Sequence, residues 1–415
     1  MLGLVLTRAY VIPGVAKSLP LVAKHVLQAL RRLDLHARKY TYEATLAAVV
    51  AKDERQPRFS VWRVGAVNLH DCGNNCRKKE LVDLLGSFSA LHTLTMRGTI
   101  LGITMVDVSR ALADCAALHT LILSDFSYGH IQLQAVPALG SCVTMHTLNL
   151  SSCNELVDVS ALADCLNLHK LNLSNCWRLV RVSALGGCFK LHTLNLRYTK
   201  VADVSALGCC LKLHTLILAC TSVVDVSALA RCAALHMVDL SFCRPLGCVS
   251  ALGGCLKLHT LNLKSTSVVD VSALARCAAL CTLNLSFCRL LVDVSGLGEC
   301  LSLHTLDLQS TRVVHVSGLW GCKALHTLNL EECTALEDVS GLAGCAALHT
   351  LDLLHCIRLV SVVALAKCVA LQRLNVTGCN KKMVDGSGLF LSTDVTSWYS
   401  GARKRAGLNL SGCFE

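Results

Sequence analysis

The chain has 415 residues, of which 53% are hydrophobic, and its 39 lysines and arginines outnumber its 28 acidic residues to give a net charge of +11. No run of about 18 apolar residues occurs, so the sequence predicts no membrane-spanning helix. The charge is unevenly distributed, because residues 1–63 hold 11 basic and 4 acidic residues whereas residues 64–380 hold 23 and 21. A nearly neutral main region disfavours a nucleic-acid-binding groove.

Residues 1–63 are predicted to form a basic, helical N-terminal cap. The apolar stretch before Thr7 and Arg8 is five residues long, which is too short for a secretory signal. From Ser18 to Ala51 the apolar residues recur with helical spacing. The stretch Leu19–Leu35, with Leu-Pro, an apolar helix and then Asp-Leu, resembles the opening of an F-box, and this resemblance implies a Skp1-like adaptor as a partner. An amphipathic helix that covers the end of a repeat array explains the same residues.

A repeated segment begins as a degraded copy at Arg63–Cys72 and continues in thirteen regular copies. Each regular copy reads L-H-T-L-N-L-x-x-(C/T), then two or three variable residues, then V-x-D-V-S-A-L-x-x-C. A fixed period of this kind is typical of a solenoid, in which neighbouring repeats bury each other's apolar faces. The copies start at Leu91, Leu118, Met145, Leu168, Leu191, Leu213, Leu235, Leu258, Leu280, Leu303, Leu325, Leu348 and Leu371.

The L-x-x-L-x-L core resembles the leucine-rich repeat, and the resemblance covers about 70% of the chain. Copies of 22 residues carry Thr at the ninth position and resemble the short class found in phosphatase-regulator and internalin-type proteins. Copies of 23 residues carry Cys there and resemble the cysteine-containing class common in F-box receptors. The resemblance implies an α/β solenoid, a curved array with a parallel β-sheet on its concave face and short 3₁₀ or turn segments on its convex face. It also implies recognition of a protein partner.

The spacing inside one copy predicts its local structure. Apolar and polar residues alternate in L-H-T-L-N-L, which predicts a short strand with one buried face. The remainder is the crossover that leads to the next parallel strand. In that crossover Leu207 and Cys210 are expected to point inward. Ser205 is expected to cap a 3₁₀ or helical turn through its hydroxyl, and Asp203 is capable of similar local bonding.

Nineteen of the 26 cysteines occupy two positions of the repeat, twelve after the turn segment and seven at the ninth position. A cysteine that recurs where other repeats carry Leu or Asn behaves as a small buried hydrophobe. A regular stack does not offer disulfide geometry at every step. The sequence therefore predicts free thiols and a reducing, cytoplasmic location.

The sequence predicts no catalytic residue, no metal and no cofactor. Histidine recurs at the second position of eleven copies and is expected to form a ladder along one edge of the array. Such a ladder lacks the convergent tetrahedral ligands of a zinc site. The chain also has no P-loop, nucleophile elbow or H-E-x-x-H motif, so no enzymatic activity is predicted.

Residues that bind a partner are expected where the copies differ, at the seventh and eighth positions and just beyond. Exposed aromatic residues beside arginine are typical of interface hot spots. Phe242 and Phe287 are expected to be the anchors, on either side of a shallow notch above Ser265. The candidate residues are Trp177, Arg197, Tyr198, Phe242, Lys264, Phe287, Gln309, Glu331 and Glu332.

From Lys381 the regularity fails, and residues 381–415 are predicted to form a degenerate C-terminal repeat or cap. The chain closes on LNLSGCFE, which is either an unusual cap or the start of an incomplete repeat. We expect a monomeric, cytoplasmic interaction scaffold that binds an unidentified protein on the concave or ascending-loop face of residues 64–380. One alternative is an F-box substrate receptor of a ubiquitin ligase. Another is an extracellular recognition receptor, which would need a signal peptide and paired cysteines.

Overall fold

A computed structural model of the protein describes residues 4–6, 46–48, 66–70, 91–97, 117–124 and 144–380. The chain divides into two compact units, Met1–Lys200 and Val201–Glu415. The F-box-like stretch Leu19–Leu35 and residues 381–415 lie outside the described residues, so both predictions about them stay predictions.

Each repeat places a short strand where the alternation of apolar and polar residues predicts one. The strand starts two residues after the first Leu of the copy, and this holds for all thirteen copies. In the first unit the described strands are β1 Leu4–Leu6, β2 Leu46–Ala48, β3 Ala66–His70, β4 Thr93–Arg97, β5 Thr120–Ser124, β6 Thr147–Asn149, β7 Lys170–Asn172 and β8 Thr193–Asn195. In the second unit they are β9 Thr215–Ile217, β10 Met237–Asp239, β11 Thr260–Asn262, β12 Thr282–Asn284, β13 Thr305–Asp307, β14 Thr327–Asn329, β15 Thr350–Asp352 and β16 Arg373–Asn375.

Within each unit the strands β3–β8 and β9–β16 pair in parallel with their sequence neighbours and keep one register. The third position of a copy always faces the third position of the next, as in Thr282 opposite Thr305. The degraded copy Arg63–Cys72 contains β3, which pairs in parallel with β4. β1 and β2 form a separate antiparallel pair. The helix predicted for Ser18–Ala51 is therefore wrong at Leu46–Ala48, which forms a strand opposite Leu4–Leu6.

A five-residue 3₁₀ turn lies opposite the strand in each of the ten copies that start from Met145 to Leu348. No helix among the described residues is long and apolar enough to cross a membrane. In the first unit the turns are Ser160–Asp164 and Ser183–Gly187. In the second unit they are Ser205–Cys209, Ser227–Arg231, Ser250–Gly254, Ser272–Arg276, Ser295–Glu299, Ser317–Gly321, Ser340–Gly344 and Val363–Lys367. We call the side formed by these turns the turn face, and the solvent-facing side of the strands and of the bend after them the strand face.

The core consists of apolar side chains at seven recurring positions between the two faces. In the copy that starts at Leu213 they are Leu213, Leu216, Leu218, Val223, Val226, Leu229 and Cys232, and each is at most 1% exposed. Leu207 and Cys210 point inward as predicted. Burial of a Leu-sized side chain stabilises by about 1.5–3 kcal/mol, so stacking of the same positions accounts for the regularity of the fold.

The cap of the 3₁₀ turn is the carboxylate of Asp203, for which local bonding was predicted beside that of Ser205. The N-cap residue is Val204, whose side chain makes no capping hydrogen bond. The backbone N–H of Ser205 instead donates to Oδ1 of Asp203 at 2.8 Å. The carboxylate two residues before the turn reaches that N–H, and an ionised acceptor makes the stronger hydrogen bond.

The turns of three successive repeats approach each other especially closely. They carry Gly296, Gly318 and Gly341 where other described turns of the second unit carry Ala. A Cβ on Gly318 would lie 2.2 Å from Cα of Ser295, and one on Gly341 would lie 2.1 Å from the carbonyl oxygen of Val316. Glycine at these positions therefore sets the spacing of the turn face.

Two segments of the second unit are nearly identical. Val224–Arg244 and Val269–Arg289 lie 45 residues apart. They differ at four positions, which are the second to fifth residues of the repeat copy that each contains. Both contain a 3₁₀ turn and a strand with the same bounds relative to the copy. The second unit therefore contains nearly the same repeat length twice, two repeats apart.

Candidate protein-binding surface

The backbone at the eighth position of the repeat has positive φ, which raises the question of why bulky side chains occur there. Ten successive repeats have φ between 55° and 62° at this position, and none of these residues is glycine. The N–H of Phe242 donates to the carbonyl of Lys264 at 2.7 Å, and that of Phe287 donates to the carbonyl of Gln309 at the same distance. These bonds between repeats hold the bend in the left-handed conformation.

A left-handed conformation costs an aromatic residue on the order of 1–3 kcal/mol. Asn or Gly would occupy the bend with less strain. Phe242, Phe287 and Tyr198 nevertheless occupy it. Strained residues of this kind cluster at binding sites, so the bends that carry aromatic rings are candidates for function.

Phe242, Lys264 and Phe287 form one cluster on the strand face of the second unit. The Lys264 Nζ lies 5.1 Å from the centroid of the Phe287 ring and 6.0 Å from that of Phe242. Both distances allow cation–π attraction. The Phe242 side chain is 42% exposed. The sequence predicted a shallow notch above Ser265 between the two rings with Lys264 beside it, and the structure places the ammonium group of Lys264 near both rings.

The acidic candidates lie further along the same unit. The N–H of Glu331 donates to Oδ1 of Asn329 at 2.9 Å, and Glu332 accepts the hydroxyl of Ser310 at 2.7 Å. Partial burial, together with the neighbouring carboxylates of Asp352, Glu332 and Asp307, raises the pKa of Glu331. The sequence analysis did not select Asp307 or Asp352, which occupy the fifth position of the repeat. The signal that could have identified them is that each differs from the Asn found at this position in other copies. Gln309 lies between the cluster and the acidic residues, because its carbonyl accepts the N–H of Phe287 and its own N–H donates to Oδ1 of Asp307 at 3.1 Å.

The remaining candidates belong to the first unit. The guanidinium of Arg197 lies 4.8 Å from the centroid of the Tyr198 ring, and both side chains are exposed. Trp177 is 62% exposed in the loop after the bend. Its neighbour Arg178 forms an ion pair with Glu155. All nine candidates are therefore at least partly exposed, and three of them form a cluster.

The predicted histidine ladder is a stack of imidazole rings along the edge before the strands. In the first unit, ring centroids from His119 to His192 lie 5.0–5.2 Å apart. In the second unit the stacked neighbours lie 4.7–4.9 Å apart. Nearly parallel rings direct their lone pairs side by side rather than at one ion. Among the described residues no group of three or more His, Cys, Asp or Glu side chains could hold a metal ion.

The 21 described cysteines are free thiols. Those of the two repeat positions donate to backbone carbonyls of the preceding repeat, as Cys255 does to Leu229 at 3.3 Å and Cys243 does to Leu218 at 3.1 Å. Burial raises the pKa of Cys255 and Cys300 to about 12. These thiols are therefore unreactive elements of the core rather than chemical groups of a site.

No protein-family model matches the sequence, and no curated protein matches it either. A solved internalin, InlF of Listeria monocytogenes, is similar in structure at 18% identity, with a TM-score of 0.61 over 84% of this chain and 94% of that one. A leucine-rich-repeat protein of Leptospira interrogans is similar at 16% identity, with a TM-score of 0.54 over 77% of this chain and 86% of that one. At these identities the likeness concerns the fold. The fold is the leucine-rich-repeat solenoid, as the sequence predicted.

Proposed function

We propose that this leucine-rich-repeat protein is a non-catalytic, monomeric interaction module that binds a protein partner on its strand face, with Phe242 and Phe287 as anchors. The observation that carries the proposal is the cluster of two aromatic rings around Lys264, at bends where an aromatic side chain is strained. Strain that the fold could avoid with Asn or Gly indicates a role other than stability.

The chemistry of this surface suits an interface. Aromatic residues and nearby cations are enriched among interface hot spots, and desolvation by a partner strengthens the attraction between the ring and the cation. The two rings stand two strands apart, about 10 Å. The acidic residues Glu331 and Glu332 lie further along the unit, so the surface has a direction of charge that fixes how a partner lies on it.

The test replaces both anchors in the full chain. A photo-reactive amino acid at Gln309 first captures the partner, and its affinity is then measured by calorimetry for the natural chain and for Phe242→Ala/Phe287→Ala. We expect binding to weaken by about 2 kcal/mol or more, about 30-fold, with little change in melting temperature. The matched control is Leu256→Ala/Leu301→Ala, which removes two apolar side chains that are 56% and 63% exposed elsewhere in the same unit.

An unchanged affinity in the anchor variant would show that the partner uses another surface. Unfolding of that variant would show that the rings support the fold. Weakening by the control pair to the same extent would show that the effect is not local to the cluster.

We further propose a reducing, cytoplasmic location, which the 21 free thiols support. The F-box alternative depends on Leu19–Leu35, outside the described residues. It predicts that the full chain binds a Skp1-like adaptor and that deletion of this stretch abolishes the binding. The extracellular-receptor alternative requires paired cysteines, which mass spectrometry of the alkylated native protein would detect.

A further inference from the structure

The turn face of the second unit carries one large departure from the repeat. The fourth residue of the 3₁₀ turn is Ala or Gly in nine of the ten described turns and Trp in the other, at Trp320. The indole is 56% exposed. A small residue suffices for the fold at this position, so the tryptophan adds an exposed aromatic wall to a face that otherwise has none in this row.

Two more departures stand within the next two repeats. Val363 begins its turn where every other described turn begins with Ser, and its side chain is 45% exposed. Ser361 stands where Asp is the commonest residue. Together with Trp320 they line a groove of about 370 Å³ whose floor includes Ala343 and Ala364. Three independent substitutions therefore converge on one cavity.

The groove has one charge of each sign on its lining. Asp338 accepts the backbone N–H of Ser340 on Oδ1 at 2.8 Å and the Ser340 hydroxyl on Oδ2, so its carboxylate has a fixed orientation. Lys367, the last residue of its turn, is exposed and also lines the groove. An apolar floor with one carboxylate and one ammonium group suits an apolar group that itself lies between a positive and a negative charge.

We propose that this groove is a second docking site, which takes an aromatic side chain of a partner protein that is flanked in sequence by one basic and one acidic residue. The aromatic ring packs in offset or edge-to-face contact with the indole of Trp320 and rests on Ala343 and Ala364. The basic residue pairs with Asp338 and the acidic residue pairs with Lys367. The site goes beyond the proposed function, because it lies on the turn face and leaves the strand face free for another partner.

The test uses blocked tripeptides as probes on the full chain. Saturation-transfer NMR at millimolar peptide measures contact with the phenyl protons of acetyl-Arg-Phe-Glu-amide and of the reversed sequence, with acetyl-Ala-Phe-Glu-amide and acetyl-Arg-Ala-Glu-amide for comparison. Trp320→Ala restores the residue type that the repeat uses elsewhere, so we expect it to fold. Phe189→Ala is the matched control, because it removes another aromatic side chain that is also 56% exposed.

We expect at least one order of the charged phenylalanine peptide to bind, and Trp320→Ala to reduce its phenyl signal by about five-fold or more, with no change in Phe189→Ala. Asp338→Asn keeps an acceptor for Ser340 and removes the charge. It should weaken the Arg-Phe-Glu peptide by about two- to five-fold and leave Ala-Phe-Glu unaffected.

Equal phenyl signals for the natural chain and Trp320→Ala would overturn the proposal, and so would the absence of any signal with either peptide order. If Trp320→Ala lowers the melting temperature, the Asp338→Asn variant decides. An equal loss of binding for the peptides with and without arginine in that variant would also overturn the proposal.

Discussion

At the scale of single residues, local hydrogen bonds decide which side chains are inert and which are not. Cys248 is exposed, its Sγ lies 3.2 Å from the hydroxyl of Ser250, and hydrogen bonds from Ser250 lower the pKa of this thiol. Cys255 and Cys300 differ because burial raises the pKa of each to about 12. Cysteine thiols therefore ionise more readily at one position of the repeat and less readily at another.

Alkylation should separate these thiols by rate. A thiol with a pKa of about 12 has about a thousand-fold less thiolate at neutral pH than one with a pKa of 9.0, and only the thiolate reacts. We expect iodoacetamide to label Cys248 in the native protein well before Cys255 or Cys300, as measured peptide by peptide with mass spectrometry. Labelling in urea should remove the difference. Equal native rates would contradict the buried placement.

The aspartates that cap the turns should make the protein sensitive to acid. Asp225 accepts both the backbone N–H and the hydroxyl of Ser227 at 2.7 Å, and these bonds lower its pKa. The backbone and hydroxyl of Ser272 likewise lower the pKa of Asp270. A carboxylate with a lowered pKa in the folded state stabilises the fold above its unfolded pKa of 3.8, and this contribution is lost as the pH falls through the folded pKa.

Asp225→Asn/Asp270→Asn should reduce this sensitivity, because an amide keeps an acceptor for the backbone N–H but does not titrate. We expect the natural chain to lose more stability than the variant between pH 5 and pH 3 in urea denaturation. A parallel loss in both chains would mean that other carboxylates dominate acid unfolding.

At the scale of elements, the close approach of the turns is the feature most sensitive to substitution. A Cβ on Gly341 would meet backbone atoms, the carbonyl oxygen of Val316 at 2.1 Å and Cα of Ser317 at 2.6 Å. Backbone atoms cannot yield as a flexible side chain can. A Cβ on Gly247, by contrast, would lie 3.8 Å from the carbonyl oxygen of Ser267, which is an ordinary contact.

Gly341→Ala should therefore destabilise the protein by about 1–3 kcal/mol, the usual cost of overpacking. Gly247→Ala is the matched control and should be neutral or slightly stabilising, because alanine restricts the unfolded chain. The measurement is the midpoint of urea unfolding followed by circular dichroism. Two equal midpoints would show that the turns can separate without cost.

The strand and the core of each repeat were predictable from sequence, because both follow from a recurring pattern of residues. Period-two alternation fixed the strands, and recurrence of Leu, Val and Cys fixed the core. The sequence offered both Ser205 and Asp203 for the local bond at the turn, and the carboxylate of Asp203 makes it because it lies within reach of the N–H of Ser205. The positive φ of Phe242 was not predictable, because the bonds to the next repeat impose it on a residue that does not favour it. Nor does any pattern fix where the long side chain of Lys264 lies.

At the scale of the whole molecule, a repeat array is a series of similar units, each of which is stabilised by its neighbours. The two nearly identical segments of the second unit allow a deletion that tests this dependence on neighbours directly. Removal of residues 245–289 joins Arg244 to Leu290, and Arg289 precedes Leu290 in the natural chain, so the junction is preserved. The deletion removes one repeat pair and leaves the register of every remaining strand intact.

We expect the shortened chain to fold, with unchanged circular dichroism per residue and a modestly lower melting temperature. It should also lose the proposed partner of the strand face, because Lys264 and Phe287 are deleted. Deletion of residues 257–289, about one and a half repeats, is the control and should disrupt folding. If the 45-residue deletion fails to fold as well, stability does not depend on neighbours alone.

The same duplication allows a strand to pair with the wrong neighbour during folding. The segment that contains β12 is so similar to the segment that contains β10 that it can stack on β9 in its place and leave β10 and β11 looped out. The longer loop adds little entropic cost, because that cost grows only slowly with length, but the looped-out repeats leave their core side chains unburied, so this arrangement is a kinetic trap above the native one in free energy. Refolding from denaturant offers all strands at once and populates the trap. Synthesis on the ribosome does not, because β10 emerges and stacks before β12 exists. The direction of translation therefore offers the correct partner first, and core burial favours the same pairing at equilibrium.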